Sequence, residues 1–182
     1  MIPHLYMQEI KEWAQVLGLL AVIAGLFKAG YEIKESRKQR NTELLWKKIN
    51  TAKELLNDIH THELARHAVH MLDWCEGHAN YETTPGNRVK ISYEDVIRAL
   101  QHNHQPPDSD KDVFIRDCFD WFFYRVDRIE HYARRKLIDL EDVESVFRPY
   151  AKQIAKDSQT YDAFLAFHEY DLARQFLSHY RE

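Results

Sequence analysis

The sequence predicts an all-α protein: an N-terminal apolar helix built to span a membrane, then a cytoplasmic helical bundle. Three observations carry that reading. Residues 16–27 read VLGLLAVIAGLF, twelve positions without a polar side chain. Residues 41–182 hold only two glycines, Gly77 and Gly86, and four prolines. Their apolar residues recur at helical rather than alternating spacing. Composition agrees: 182 residues, 45% hydrophobic and 30% charged, suffice for one buried core and exclude a disordered tail or a collagen-like chain. A net charge of −4 does not mark a nucleic-acid binder, and Cys75 and Cys118 fit neither a disulfide framework nor a zinc-ligand spacing.

The elements follow in order. Residues 1–12 are expected as a short extracytoplasmic N-terminus and residues 13–33 as the transmembrane helix. The stretch 13–31 has 19 residues, at about 1.5 Å each enough for a hydrocarbon core of about 30 Å, with Trp13 and Tyr31 as interfacial aromatics. A buried core helix is the alternative. Glu9, Lys11 and Glu12 argue against a cleaved signal peptide. Residues 1–27 carry −1, residues 28–48 carry +4 and the remainder −7. Positive-inside logic then places the C-terminal part of a single-pass membrane protein in the cytoplasm.

A basic neck helix is expected over 34–60, with Leu45, Ile49, Ala52, Leu56 and Ile59 at helical spacing, and a cytoplasmic helical domain over 61–182. A helix over 61–76 carries Leu64, Ala65, Ala68, Met71, Leu72 and Cys75 on one side. Residues 77–91, containing Pro85-Gly86-Asn87, read as a loop with no strand. Ser92 with Asp95 forms a capping box, and Asp108-Ser109-Asp110 caps the helix after Pro106-Pro107. Ile115, Phe119, Phe122, Val126 and Ile129 then make an apolar stripe. Asp139 with Asp142 is expected to cap the next helix, Pro149 to kink or end it, and Thr160 to cap a final helix through Phe176.

Within the apolar helix, Ala14, Gly18, Ala21, Gly25 and Ala29 fall within about 80° of its circumference, a face on which helices of separate copies can pack closely. Small residues placed there by chance are the alternative. On the neighbouring face, Gln8, Glu12 and Gln15 are followed by Leu19, Val22 and Leu26, a polar mouth and an apolar constriction if copies form a ring. The expected partners are therefore the chain itself and the lipid bilayer.

Eleven histidines are many for this length, and His60, Glu63, His67 and His70 cluster. Glu63, His67 and His70 are the candidate metal ligands, against a simpler structural role; no cofactor is expected. His62-Glu63-Leu64-Ala65-Arg66-His67 has one residue too many for the helical zinc-protease pattern. Asp117, Asp120, Asp127 and Glu130 read as solvated rather than catalytic acids, since Arg116–Asp120, Asp127–His131 and Glu130–Arg134 sit at i,i+4 as surface ion pairs.

Two arginine–histidine pairs remain: Arg174 with His179, four residues between, and Arg125 with His131, five between. This spacing resembles the R-x4–6-H motif of the HEPN superfamily, whose helical bundles pair to cleave RNA. The resemblance implies proton transfer by His179 and stabilisation of phosphate charge by Arg174. Val126 and Gln175 stand where active members carry a polar residue. The layout of apolar helix, basic neck and HEPN-like body is similar to the membrane accessory proteins of type VI-B CRISPR systems. That resemblance implies an oligomeric inner-membrane pore in anti-phage defence, activated by a cytoplasmic RNA-guided nuclease or its RNA product. A membrane-tethered ribonuclease and a non-catalytic scaffold are the alternatives.

Overall fold

The computed structural model describes residues 4–73, 79–84, 87–101, 106–107 and 109–180, without the side chains of residues 4–12, 14, 16, 79, 83, 84 and 87. The chain divides into two units, Met1–Lys47 and Lys48–Glu182. Helix α1, His4–Thr61, runs through the division as one element of 58 residues.

The first unit is helical, and its described apolar side chains lie in the open: Leu17 is 64% exposed, Leu26 68% and Phe27 77%. The transmembrane expectation over 13–33 is corrected here. Among the described residues, no helix is long and apolar enough to cross a membrane. The uninterrupted apolar run, residues 16–27, measures about 18 Å as a helix against about 30 Å of hydrocarbon. Lys28, Glu32 and Lys34 follow directly, and Lys28 pairs with Glu32 at 3.8 Å one turn on.

The second unit is built around α4, Asp110–Arg134. Before it come the end of α1, α2 (Glu63–Asp73), a hairpin of β1 (Ala79–Thr84) and β2 (Asn87–Ile91), and α3 (Tyr93–Gln101); after it come α5 (Glu141–Lys156), α6 (Ser158–Phe167) and α7 (Asp171–Ser178). α4 packs on α2, α3, α7 and β1. Aromatic residues fill the core, since large rings bury the most area per side chain. Phe119, Phe122, Phe123, Tyr161, Phe164 and Phe176 are wholly buried. Phe147 stands edge-on to Phe176 at 5.3 Å and near Phe122 at 6.4 Å, joining α4, α5 and α7. From α1, Ala52, Leu55 and Ile59 enter the same core.

Both early caps form as expected. Ser92 Oγ accepts from Asp95 N at 3.2 Å while Asp95 Oδ2 accepts from Ser92 N at 3.0 Å, and Ser109 Oγ accepts from Asp112 N at 3.2 Å. Arg98 joins the two caps, reaching Asp95 at 2.9 Å and Asp112 at 3.2 Å.

Four expectations are corrected. The stretch read as a loop contains an antiparallel hairpin, with Ala79 opposite Ile91 and Tyr81 opposite Val89. Its alternation is hidden because, among the strand side chains described, only Tyr81 and Ile91 are buried, and a register irregularity falls between Glu82 and Thr84. Asp139 does not cap α5; it accepts from Lys48 Nζ at 2.7 Å. Pro149 lies inside α5, exposed, where its missing N–H costs one bond of a helix anchored by Val143, Phe147, Ala151 and Ile154. Thr160 is buried within α6 and accepts from Gln101 Nε2 at 3.2 Å, and the expected final helix is two helices.

The break between α6 and α7 has a definite cause. Glu169 adopts φ 59°, Glu169 N donates to Ala166 O, and Tyr170 N donates to Leu165 O at 2.9 Å. This is a Schellman ending with a non-glycine residue in the left-handed position. Lys136, also at φ 59°, ends α4 in the same way, with Leu137 N donating to Tyr132 O at 3.0 Å.

Candidate functional site

The arginine–histidine pairs do not converge. Arg174 lies on the exposed side of α7, and His179 is the exposed C-cap five positions later. Arg174 lines a groove of about 410 Å³ with Asp162, Asp171, Gln175 and Ser178, and His179 takes no part in it. Arg125 is only 7% exposed, and each of its three nitrogens is engaged: Nη1 donates to Trp121 O at 3.1 Å, Nε to Asp58 O at 3.3 Å, and Nη2 to Asp58 Oδ1 at 3.4 Å. Its guanidinium also lies 5.1 Å from the Trp121 ring centre. His131 is exposed and meets Tyr132 edge-on at 6.2 Å. Arg125 thus fastens α1 to α4, with its donors committed to protein oxygens rather than available to a phosphate.

Of the histidine cluster, His67 is the half-buried member. Its Nε2 stands 4.0 Å from Glu63 Oε1, its ring is 6.4 Å from that of His70, and Tyr81 and Phe114 lie within 5.6 Å. Burial, then the Arg66 charge, holds its imidazole below the ordinary value, and its Nδ1 has no hydrogen-bond partner among the described residues. Such a ring is neutral at pH 7 and packs as an aromatic. Among the described residues, no group of three or more metal-ligating side chains is placed to hold an ion.

The α4 carboxylates serve the fold. Asp120 Oδ1 accepts from Tyr170 Oη at 2.8 Å and meets His168 Nδ1 at 3.2 Å; the His168 bond holds the carboxyl below its usual range. Asp127 Oδ1 accepts from Leu172 N and Ala173 N, both at 3.0 Å, and so caps α7 from another helix. Glu130 pairs with Arg134 at 3.0 Å, as the i,i+4 spacing predicts.

In α1, Gly18, Ala21, Gly25 and Ala29 form an open face: a Cβ added at Gly18 or Gly25 meets nothing within 4 Å. Leu19, Val22 and Leu26 are 60% exposed or more, and Gln15 is exposed. The side chains of Gln8, Glu12 and Ala14 lie outside the described residues.

One cluster was not legible from spacing. Trp121 and Tyr124 sit on the solvent side of α4, 6.0 Å apart and edge-on, with His62 against Trp121 at 4.6 Å. Asp58, on α1, receives both Arg125 and Arg128, the latter at 3.0 Å. Sequence gives the aromatic run around Trp121 but no hint of the contacts to α1, 59 to 70 positions away. No family model matches the chain, and neither a curated protein nor a solved structure matches it.

Proposed function

We propose that the chain is a self-assembling scaffold, in which several copies join through the apolar segment of α1 and present their helical bodies together. The observation that supports this is the exposure of Leu17, Leu19, Leu20, Val22, Leu26 and Phe27, each 56% or more. An apolar patch of this extent marks an interaction surface. At 100° per residue the large side chains sweep roughly 220° of the helix, and the small-residue face fills the remainder. One neighbouring helix covers only about a third of such a circumference, so each α1 needs at least two neighbours, and the assembly contains three or more copies. The helical body supports a presenting rather than a catalytic role: Arg125 is committed to Asp58, and the described groove at Arg174 is lined without His179.

The test is the mass of purified protein by light scattering across a hundredfold range of concentration. The expected result is a species of at least three copies, dissociated by Gly18→Leu with Gly25→Leu, since the open space at both glycines makes the substitutions harmless to a single copy. A monomer at every concentration contradicts the proposal, and a monomer that floats with lipid vesicles replaces it with a lipid-binding role.

A further inference from the structure

We propose that the solvent-facing stripe of α4 docks the basic stretch of α1, residues 34–48, from a second copy of this chain. The proposal rests on the self-association reading and assigns the assembly a second, polar contact. Val113, Asp117, Trp121, Tyr124 and Arg128 follow at three- or four-residue spacing within about 80° of the helix. Val113 and Trp121 are 40% exposed and Tyr124 44%, while Ile115, Phe119, Phe122 and Val126 on the other sides are wholly buried.

The aromatic pair is held in place. His62 packs on Trp121, Arg125 lies over it, and Arg128 lies 6.0 Å from the Tyr124 ring centre while its guanidinium is tied to Asp58. Rings already ordered lose little freedom on binding, and Trp, Tyr and Arg are the residues that anchor protein interfaces.

Charge decides which partner fits. Arg125 and Arg128 are both paired with Asp58, so the stripe presents a phosphate with no unpaired guanidinium. Its open charge is Asp117, which makes no ion pair among the described residues; burial, then the neighbouring Asp120, pushes its carboxyl up. A nucleic acid would meet uncompensated negative charge. A helix carrying cations beside apolar residues is complementary.

Residues 34–48 supply such a helix. Lys34, Arg37, Lys38, Leu44 and Leu45 fall within about 120° of α1, and Glu32, Glu35 and Glu43 fall on the opposite side. Leu44 is 58% exposed and Leu45 53%. Arg37 precedes Leu44 by two turns, as Asp117 precedes Tyr124. A parallel alignment therefore places Arg37 and Lys38 on Asp117 and both leucines on Trp121 and Tyr124.

Charge reversal in the full chain tests this, with association constants read by sedimentation. Asp117→Lys alone and Arg37→Glu with Lys38→Glu alone are each expected to weaken association about tenfold. The three changes combined in one chain restore it to within about threefold, because the pair is reversed rather than removed. All these sites are exposed, and unchanged circular dichroism verifies the fold. Wild-type association in both reversed variants overturns the docking, as does retention of a single-stranded oligonucleotide that Trp121→Ala abolishes. A wild-type chain that never associates defeats self-assembly as well. Sensitivity to Gly18→Leu with Gly25→Leu but not to charge reversal defeats the docking alone.

Discussion

Arg125, Asp120 and Asp127 illustrate how single residues hold this molecule together. Each sits on α4 and reaches a different segment: Arg125 takes the end of α1, Asp120 the α6–α7 turn, Asp127 the first N–H groups of α7. Removing the Asp127 carboxylate leaves two amides without their acceptor, so Asp127→Ala is expected to lower unfolding free energy by about 1 kcal/mol, read as a shift of the urea midpoint. Arg125→Met keeps the volume but leaves Asp58 with only Arg128, a loss of about 2 kcal/mol for a largely buried charged hydrogen-bond set. Acid sensitivity follows from Asp95 and Asp120. Burial raises the Asp95 pKa, but hydrogen bonds from Lys111 and Ser92 outweigh it and hold the carboxyl well below the usual range; His168 lowers Asp120. A depressed folded pKa means the unfolded chain binds protons first. Their stabilisation is complete above about pH 4 and is lost as pH falls further. His67, also depressed, adds a loss of the same sign beginning below about pH 6.5. Urea midpoints at pH 7, 5 and 3 check this: the fall between pH 5 and 3 shrinks in Asp95→Asn, and the fall between pH 7 and 5 shrinks in His67→Phe.

At the scale of elements, helices with strong local signals were legible and those set by tertiary contact were not. The Ser92–Asp95 and Ser109 caps are short-range bonds between residues three apart, and the stripe Ile115-Phe119-Phe122-Val126 is one buried face of α4. The hairpin is not legible because two buried residues among the seven described strand side chains leave little alternation to read. The α6–α7 break was missed because Glu169, with no glycine's freedom, is in the left-handed conformation there. Asp120 and Asp127 then take up the chain that follows, through contacts more than 40 positions apart. The arginine–histidine spacings were visible, yet spacing could not reveal that Arg125 is occupied by Asp58. Two substitutions test the helix endings. Glu169→Gly and Lys136→Gly each relieve a left-handed strain and are expected to raise thermal stability by about 0.5–1 kcal/mol. Glycine elsewhere in a helix does the opposite. Destabilisation by both would show that these turns are not strained.

For the molecule as a whole, the division at Lys47/Lys48 separates two kinds of sequence. Among the described residues, the second unit buries 32 in one cluster that begins at Ala52 and leaves the α4 stripe of Val113, Trp121 and Tyr124 open. The first unit carries apolar residues that remain exposed, and then a basic stretch; in the proposed assembly other copies cover them. A helix apolar on every side calls for several neighbours rather than one, and the proposed assembly therefore holds three or more copies. Stability and association are then separable: Phe122→Ala in the core costs about 3–5 kcal/mol of folding, whereas changes at Gly18 and Gly25 touch no neighbour within the chain. The most direct measurement is the light-scattering mass of wild-type protein beside Gly18→Leu with Gly25→Leu at equal concentration. Three or more copies are expected for the wild type and a single copy, folded by circular dichroism, for the variant. Equal masses for the two proteins would contradict the proposed assembly.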